Sequence, residues 1–70
     1  MPEMTYVDSS NIEAIGYDDN SEELHIQFLS GGHYVYFGVP RMAYDEFIAA
    51  PSKGRYFHAN IKGAYPYAEQ

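Results

Sequence analysis

Leu24, Ile26 and Phe28 alternate with His25 and Gln27, and a second alternating run from His33 to Val39 follows Ser30-Gly31-Gly32. A side-chain period of two marks a half-buried strand, and paired glycines tolerate the positive φ that a tight turn needs, so the segment predicts a β-hairpin. With Gly31-Gly32 as a two-residue turn, Ser30 faces His33. Phe28 then opposes Val35, Ile26 opposes Phe37 and Leu24 opposes Val39. All six are apolar and share a face, which would give the ribbon a continuous buried stripe. In that register Leu29 and Gln27 oppose Tyr34 and Tyr36, placing the tyrosine pair on the face away from the stripe.

The flanking segments complete an outline. Ile12 to Tyr17 reads as a strand joined to the hairpin by the polar loop Asp18-Asp19-Asn20-Ser21-Glu22. Its apolar positions break strict alternation, which predicts a bulge or twist near Ala14 or Gly16. Ser10 followed by Glu13 has the form of a capping box, so a helical turn competes there; Gly16 and the adjacent hairpin favour the strand. Tyr6 and Val7 suit a short additional strand. After Pro40 the period changes: Tyr44, Phe47 and Ile48 fall at helical spacing until Pro51 stops them. Ser52 can cap a second helix bearing Tyr56, Phe57 and Ile61 and closed by Gly63. Strands followed by helices imply an α+β domain, an antiparallel meander of about three strands with two short helices packed on it.

Seventy residues allow one domain, 1–70, with a core over about 4–62 and a tail from 63 to 70. The eight tyrosines and four phenylalanines supply much of the apolar area for that core. There is no cysteine, hence no disulfide framework. The apolar runs are too short to span a membrane and the first residues lack the pattern of a secretory signal, so a cytoplasmic location is expected. The formal charge of −6 is unevenly distributed: residues 1–40 hold seven acids and no Lys or Arg, whereas residues 41–70 hold three acids and four bases. An acidic chain repels polyanions at long range, so only the C-terminal part offers a basic footprint.

Most catalytic chemistries find no support. In the two-glycine register His25 and His33 are roughly 16 Å apart at ~3.3 Å per residue, too far for one metal ion, and no metal or other cofactor is expected. The acidic loop from Asp18 begins like a calcium loop but has Glu23 and Leu29 where a glycine and a bidentate glutamate belong, so a solvated hairpin connection is expected. There is no thiol or Gly-x-Ser-x-Gly turn, and each serine has a turn or cap role. A non-enzymatic protein is expected.

Two features remain. Ser52-Lys53-Gly54-Arg55 places cations in the first turn of a helix, against the macrodipole. An anion there would gain free N–H groups and two positive side chains, with Arg41 and Lys62 as further basic candidates. Alternatively Lys53 and Arg55 pair with nearby carboxylates or lie over aromatic surface. The second feature is Tyr34 and Tyr36. Exposed, they form a stacking platform for bases or a protein partner; covered by a helix or the N-terminal segment, they are core.

Ser9-Ser10, Ile15-Gly16-Tyr17-Asp18, Gly32 with Tyr34-Val35-Tyr36, Val39-Pro40, and Ser52-Lys53-Gly54-Arg55-Tyr56-Phe57 with Ile61 occur in an order that resembles the KTSC domain, named for its occurrence at the C-terminus of some lysyl-tRNA synthetases. The resemblance spans residues 7 to 67, and His58 departs from it where Asn is usual. It implies a free-standing or appended module of unknown function, with RNA binding proposed because of the synthetase association; the reading adopted is a small non-catalytic binding module. A protein-interaction module using the Tyr34/Tyr36 face is the alternative.

Overall fold

The computed structural model describes residues 2–70. Five strands form one antiparallel sheet in chain order: β1 (Met4–Tyr6), β2 (Ile12–Asp18), β3 (Glu23–Phe28), β4 (His33–Tyr36) and β5 (Tyr67–Glu69). Two helices lie between β4 and β5 in sequence: α1 (Arg41–Ala49), and α2 (Lys53–Tyr56), which continues as a π-helical turn over Phe57–Ile61. The fold is α+β, as the sequence predicts, but the sheet has five strands rather than three. The additional edges are β1 and β5, and β5 falls in the segment expected to be a tail. Among the described residues no helix is long and apolar enough to cross a membrane.

The β3–β4 hairpin corrects the expected register. Phe28 N–H donates to Gly32 O at 2.8 Å and Gly31 N–H donates to Phe28 O at 2.9 Å, so the loop is Leu29-Ser30-Gly31 rather than Gly31-Gly32. Gly31 alone of the two glycines takes positive φ, +105°, as in a three-residue loop ending in a glycine bulge. Leu24 therefore pairs with Tyr36, His25 with Val35, Ile26 with Tyr34 and Gln27 with His33. Each partner on β4 differs from the expected one by three positions. An odd displacement exchanges the faces of the strand. Tyr34 and Tyr36 consequently join Leu24 and Ile26 on the helix-covered side, while Val35 turns to the opposite side beside His25. Val39 lies beyond the strand, where it is fully buried and its N–H donates to Glu22 O at 3.0 Å.

The remaining β-structure follows the sequence closely. β2 pairs with β3 from Ile12↔Phe28 to Asp18↔Glu23, with a bulge between Ile12 and Ala14. Ser9 Oγ accepts from the Asn11 and Ile12 N–H groups, so serine chemistry at this point closes a turn and the strand wins over the helical alternative. The acidic loop between β2 and β3 is a hairpin connection in which Asn20 N–H donates to Asp18 Oδ1 at 3.0 Å.

Pro40 is the N-cap of α1, its carbonyl accepting from the Ala43 N–H. Ala50 ends the helix in an extended conformation, as the residue before Pro51 must. Phe47 is fully buried in a core with Ile12, Ile15, Leu24, Ile26 and Ile61. Tyr17 stacks on Tyr44 of α1 with ring centroids 5.1 Å apart, and its hydroxyl donates to Val39 O. Phe47 stacks on Tyr56 at 5.3 Å, joining the two helices. Beyond Tyr56 the helix widens. Lys62 N–H reaches back five residues to Phe57 O at 2.9 Å, and this π turn directs both Phe57 and Ile61 into the core. Such turns are rare and concentrate at functional sites.

Candidate functional site

The helices do not cover the whole face of the sheet. α1 packs on β2, and Phe57 of the π turn meets Phe28 at the end of β3 and Tyr36 of β4, with a cleft opening beside these rings. Its walls are aromatic: Phe28, Tyr34, Tyr36, Phe57 and Tyr67, enclosing about 410 Å³. Phe28 meets Phe57 and Tyr34 edge-on at 5.5 Å, and Tyr36 meets Phe57 edge-on at 5.6 Å. Tyr67 tilts against Tyr34 at 5.7 Å and Tyr36 at 5.3 Å. Edge-to-face packing at these separations fixes the rings by their quadrupoles as well as by buried area. Tyr36 is only 4% exposed, whereas Tyr67 at the mouth is 59% exposed and Tyr34 is half-buried between them. Burial raises the Tyr36 phenol above its ordinary value, with the neighbouring Tyr67 and Tyr34 acting in the same direction.

The rim of this cleft is polar, with Asn11, Ser30, His58 and Lys62. Asn11 and His58 also line a shallower depression of about 690 Å³ with Ser10, Ser52, Gly54 and Arg55. The two spaces are therefore neighbours, separated by the Asn11 and His58 side chains. Gly54 allows the close approach there: a Cβ would lie 2.9 Å from Asn11 Oδ1, so a side chain would force the Asn11 amide to shift.

The basic candidates separate into two groups. Arg41 is held by carboxylates, with Nη1 2.7 Å from Asp19 Oδ2 and Nε 3.0 Å from Asp45 Oδ1, and it lines neither space. The bonds to Asp45 and Asp19 raise its already high pKa further. Lys53 Nζ donates to Ala50 O at 2.5 Å, which satisfies a carbonyl at the C-terminal end of α1 and explains a cation in the first turn of α2. Ser52 Oγ accepts from Arg55 N–H at 3.3 Å and so occupies the helix start as its cap. Arg55 and Lys62 differ. Among the described residues neither pairs with a carboxylate, and each lines one of the two spaces. Among the described residues no Asp or Glu lines either space.

Tyr34 and Tyr36 are thus brought together with Lys62, but as walls of a cleft rather than an open sheet platform. Asn11 enters the site without having been singled out from the sequence, and His58 stood out there only as the position where the resemblance has Asn. Asn11 follows a turn-forming serine pair, and His58 stands alone in a helical stretch; neither spacing signals a shared position.

The histidines correct another expectation. His25 Nδ1 and His33 Nε2 are 3.1 Å apart, not roughly 16 Å, because the three-residue loop brings His33 diagonally across from His25. Burial lowers the His25 pKa, partly opposed by Glu23, whose Oε1 lies 3.5 Å from Nε2. Among the described residues no cluster of three or more His, Cys, Asp or Glu is arranged to hold a metal ion.

Comparison with known proteins gives a consistent result. The sequence model for the KTSC domain matches residues 8–65. A lysine–tRNA ligase from a Nostoc species is 42% identical over 62 residues, covering 89% of this chain and 11% of that protein. A protein from Tsukamurella paurometabola is 41% identical over 59 residues, 84% of this chain and 88% of its own length. The crystal structure of a KTSC domain protein from Yersinia pestis superposes with a TM-score of 0.97 at 41% identity, covering 100% of this chain and 99% of the other. The chain spans only 11% of the length of the ligases it matches.

Proposed function

The chain belongs to the KTSC domain family, and from that premise we propose that it is a non-catalytic binding module whose ligand is RNA, held along the Arg55–His58–Lys62 side of the helical turn. The observation that carries this reading is the charge of the groove. In a chain with a formal charge of −6, the two adjoining spaces contain Arg55, Lys62 and His58 and no carboxylate. A cationic strip on an acidic body recognises phosphate locally while the rest of the surface limits long-range attraction, so binding is weak and strongly salt-dependent. Similarity to part of several lysine–tRNA ligases places relatives of this domain on proteins whose substrate is RNA. No arrangement of nucleophile, base and orienting group occurs in the groove, which is why a binding role is preferred to a reaction. Tyr36 is buried, so an open tyrosine face for a protein partner has no comparable support.

Titrating the labelled protein with short single-stranded RNA at low ionic strength tests this. Amide resonances of residues 52–62 and of Tyr67 shift first and recover on adding salt. Resonances that stay in place across that titration remove the RNA reading.

A further inference from the structure

We infer that the aromatic cleft receives a single unpaired base, with the adjoining phosphates of the same strand lying along Lys62 and Arg55, so that the module selects single-stranded over duplex nucleic acid. This rests on the RNA reading above and adds the mode of recognition. The cleft and the depression place different demands on one occupant. The cleft asks for a body with apolar faces and a polar edge: its walls are rings, and Asn11, Ser30 and His58 at the rim supply hydrogen-bonding groups. Its volume of about 410 Å³ lies in the range of small-ligand sites.

The depression asks for negative charge outside that body. Arg55 and Lys62 are seven residues apart, on the order of 10 Å along the chain at a helical rise of ~1.5 Å per residue. Arg55 lines the depression and Lys62 the cleft, so a strand with repeating phosphates can meet one in each space. An acidic peptide without aromatic side chains supplies repeated charge but no flat group for the cleft, and inorganic phosphate has no use for the rings. A duplex has both components but keeps its bases stacked inside, out of reach of a cleft with Tyr34 and Tyr67 at its mouth. Single-stranded nucleic acid meets all of these demands, because every unpaired base presents a π-face to an aromatic wall.

The rings that would hold the base differ in how firmly the fold needs them. Tyr36 and Phe57 are core residues, 4% and 5% exposed, whereas Tyr67 is 59% exposed and Tyr34 and Phe28 are half-buried. The test therefore uses the outer pair. Fluorescence anisotropy compares a short single-stranded RNA, the same sequence annealed to its complement, and an acidic peptide, each against the wild-type protein, Tyr67→Ala, Tyr34→Leu and Arg55→Gln.

The inference expects the single strand to bind at least about tenfold more tightly than the duplex, and Tyr67→Ala to weaken the single strand by about fivefold or more. Tyr34→Leu, which keeps an apolar side chain in the wall but removes the ring, also weakens it. Equal binding of strand and duplex, with loss on Arg55→Gln but not on Tyr67→Ala, overturns base insertion and leaves phosphate-directed RNA binding intact. Binding of neither nucleic acid overturns both readings, as does tighter binding of the acidic peptide.

Discussion

His33 Nε2 sits 3.1 Å from Nδ1 of His25, a contact made across the β3–β4 hairpin by two residues eight apart in sequence. It exists because Gln27, not Ser30, is the partner of His33. The same register places His25 in the interior, 8% exposed, with Nε2 buried and lacking a hydrogen bond; Glu23 at 3.5 Å is beyond a good one.

The state of His25 gives stability a pH dependence. Its folded pKa lies below the ordinary 6.5, with burial the largest cause and His33 acting in the same direction. In this case the unfolded chain binds the proton first, so stability is full above pH 6.5 and falls as pH drops toward the depressed folded value. Chemical denaturation of wild type from pH 7.5 to 5.5 is expected to show that loss. His25→Gln, which cannot titrate, is expected to flatten the curve; an unchanged slope in the variant contradicts the assignment.

The hairpin loop makes a second prediction. Gly31 has φ +105°, where a side chain is strained, and it closes the three-residue loop that sets the register. Gly31→Ala is expected to cost about 1–2 kcal/mol, and Gly31→Asn less, since Asn tolerates positive φ better than Ala. Denaturant midpoints measure both. A cost for Gly31→Ala within about 0.5 kcal/mol of zero, the range of an ordinary surface change, contradicts this loop geometry.

Ile61 tests the π turn. It is fully buried and leaves the turn one residue before Lys62, whose N–H closes the five-residue bond. Ile61→Ala removes buried volume from a small core and is expected to cost about 2–5 kcal/mol. Ile61→Val keeps most of that volume, and the expected cost is about 0.5–1.5 kcal/mol. Similar values for the two variants would mean that Ile61 is not packed as described.

Where the sequence was legible, local chemistry decided the structure. Pro40 and Pro51 bracket α1, Ser52 caps α2, and the broken alternation after Ile12 is the β2 bulge. The β4 register was not legible, for a physical reason. Tyr34-Val35-Tyr36-Phe37 is apolar at every position, so alternation cannot say which face is inward and the loop length decides. Val35 and Tyr36 are in fact both buried, one on each face. β5 escaped because Tyr67-Ala68-Glu69 is too short to carry a period. Its position is set by long-range pairing with β4, flanked by the bonds Phe37 N–H to Pro66 O at 2.9 Å and Gln70 N–H to His33 O at 2.8 Å. The basic residues were found as a set, but their roles were set by partners invisible in the local sequence. Asp19, which holds Arg41, is 22 residues away.

That division of the cations yields the last prediction. For single-stranded nucleic acid, each phosphate neutralised contributes about −0.7 to the slope of log affinity against log salt. Arg55 and Lys62 line the groove without carboxylate partners, so Arg55→Gln and Lys62→Gln are each expected to reduce the slope by about that amount. Arg41 is already neutralised by Asp19 and Asp45, so Arg41→Gln leaves the slope unchanged. Lys53→Met also leaves it unchanged but lowers the thermal midpoint, because the Ala50 carbonyl loses its donor. Affinities of the wild type and four variants, measured at several salt concentrations, decide the matter. A slope change for Arg41→Gln as large as that for Arg55→Gln would move the phosphate path to the acidic end of the molecule, where Asp19 and Asp45 oppose it.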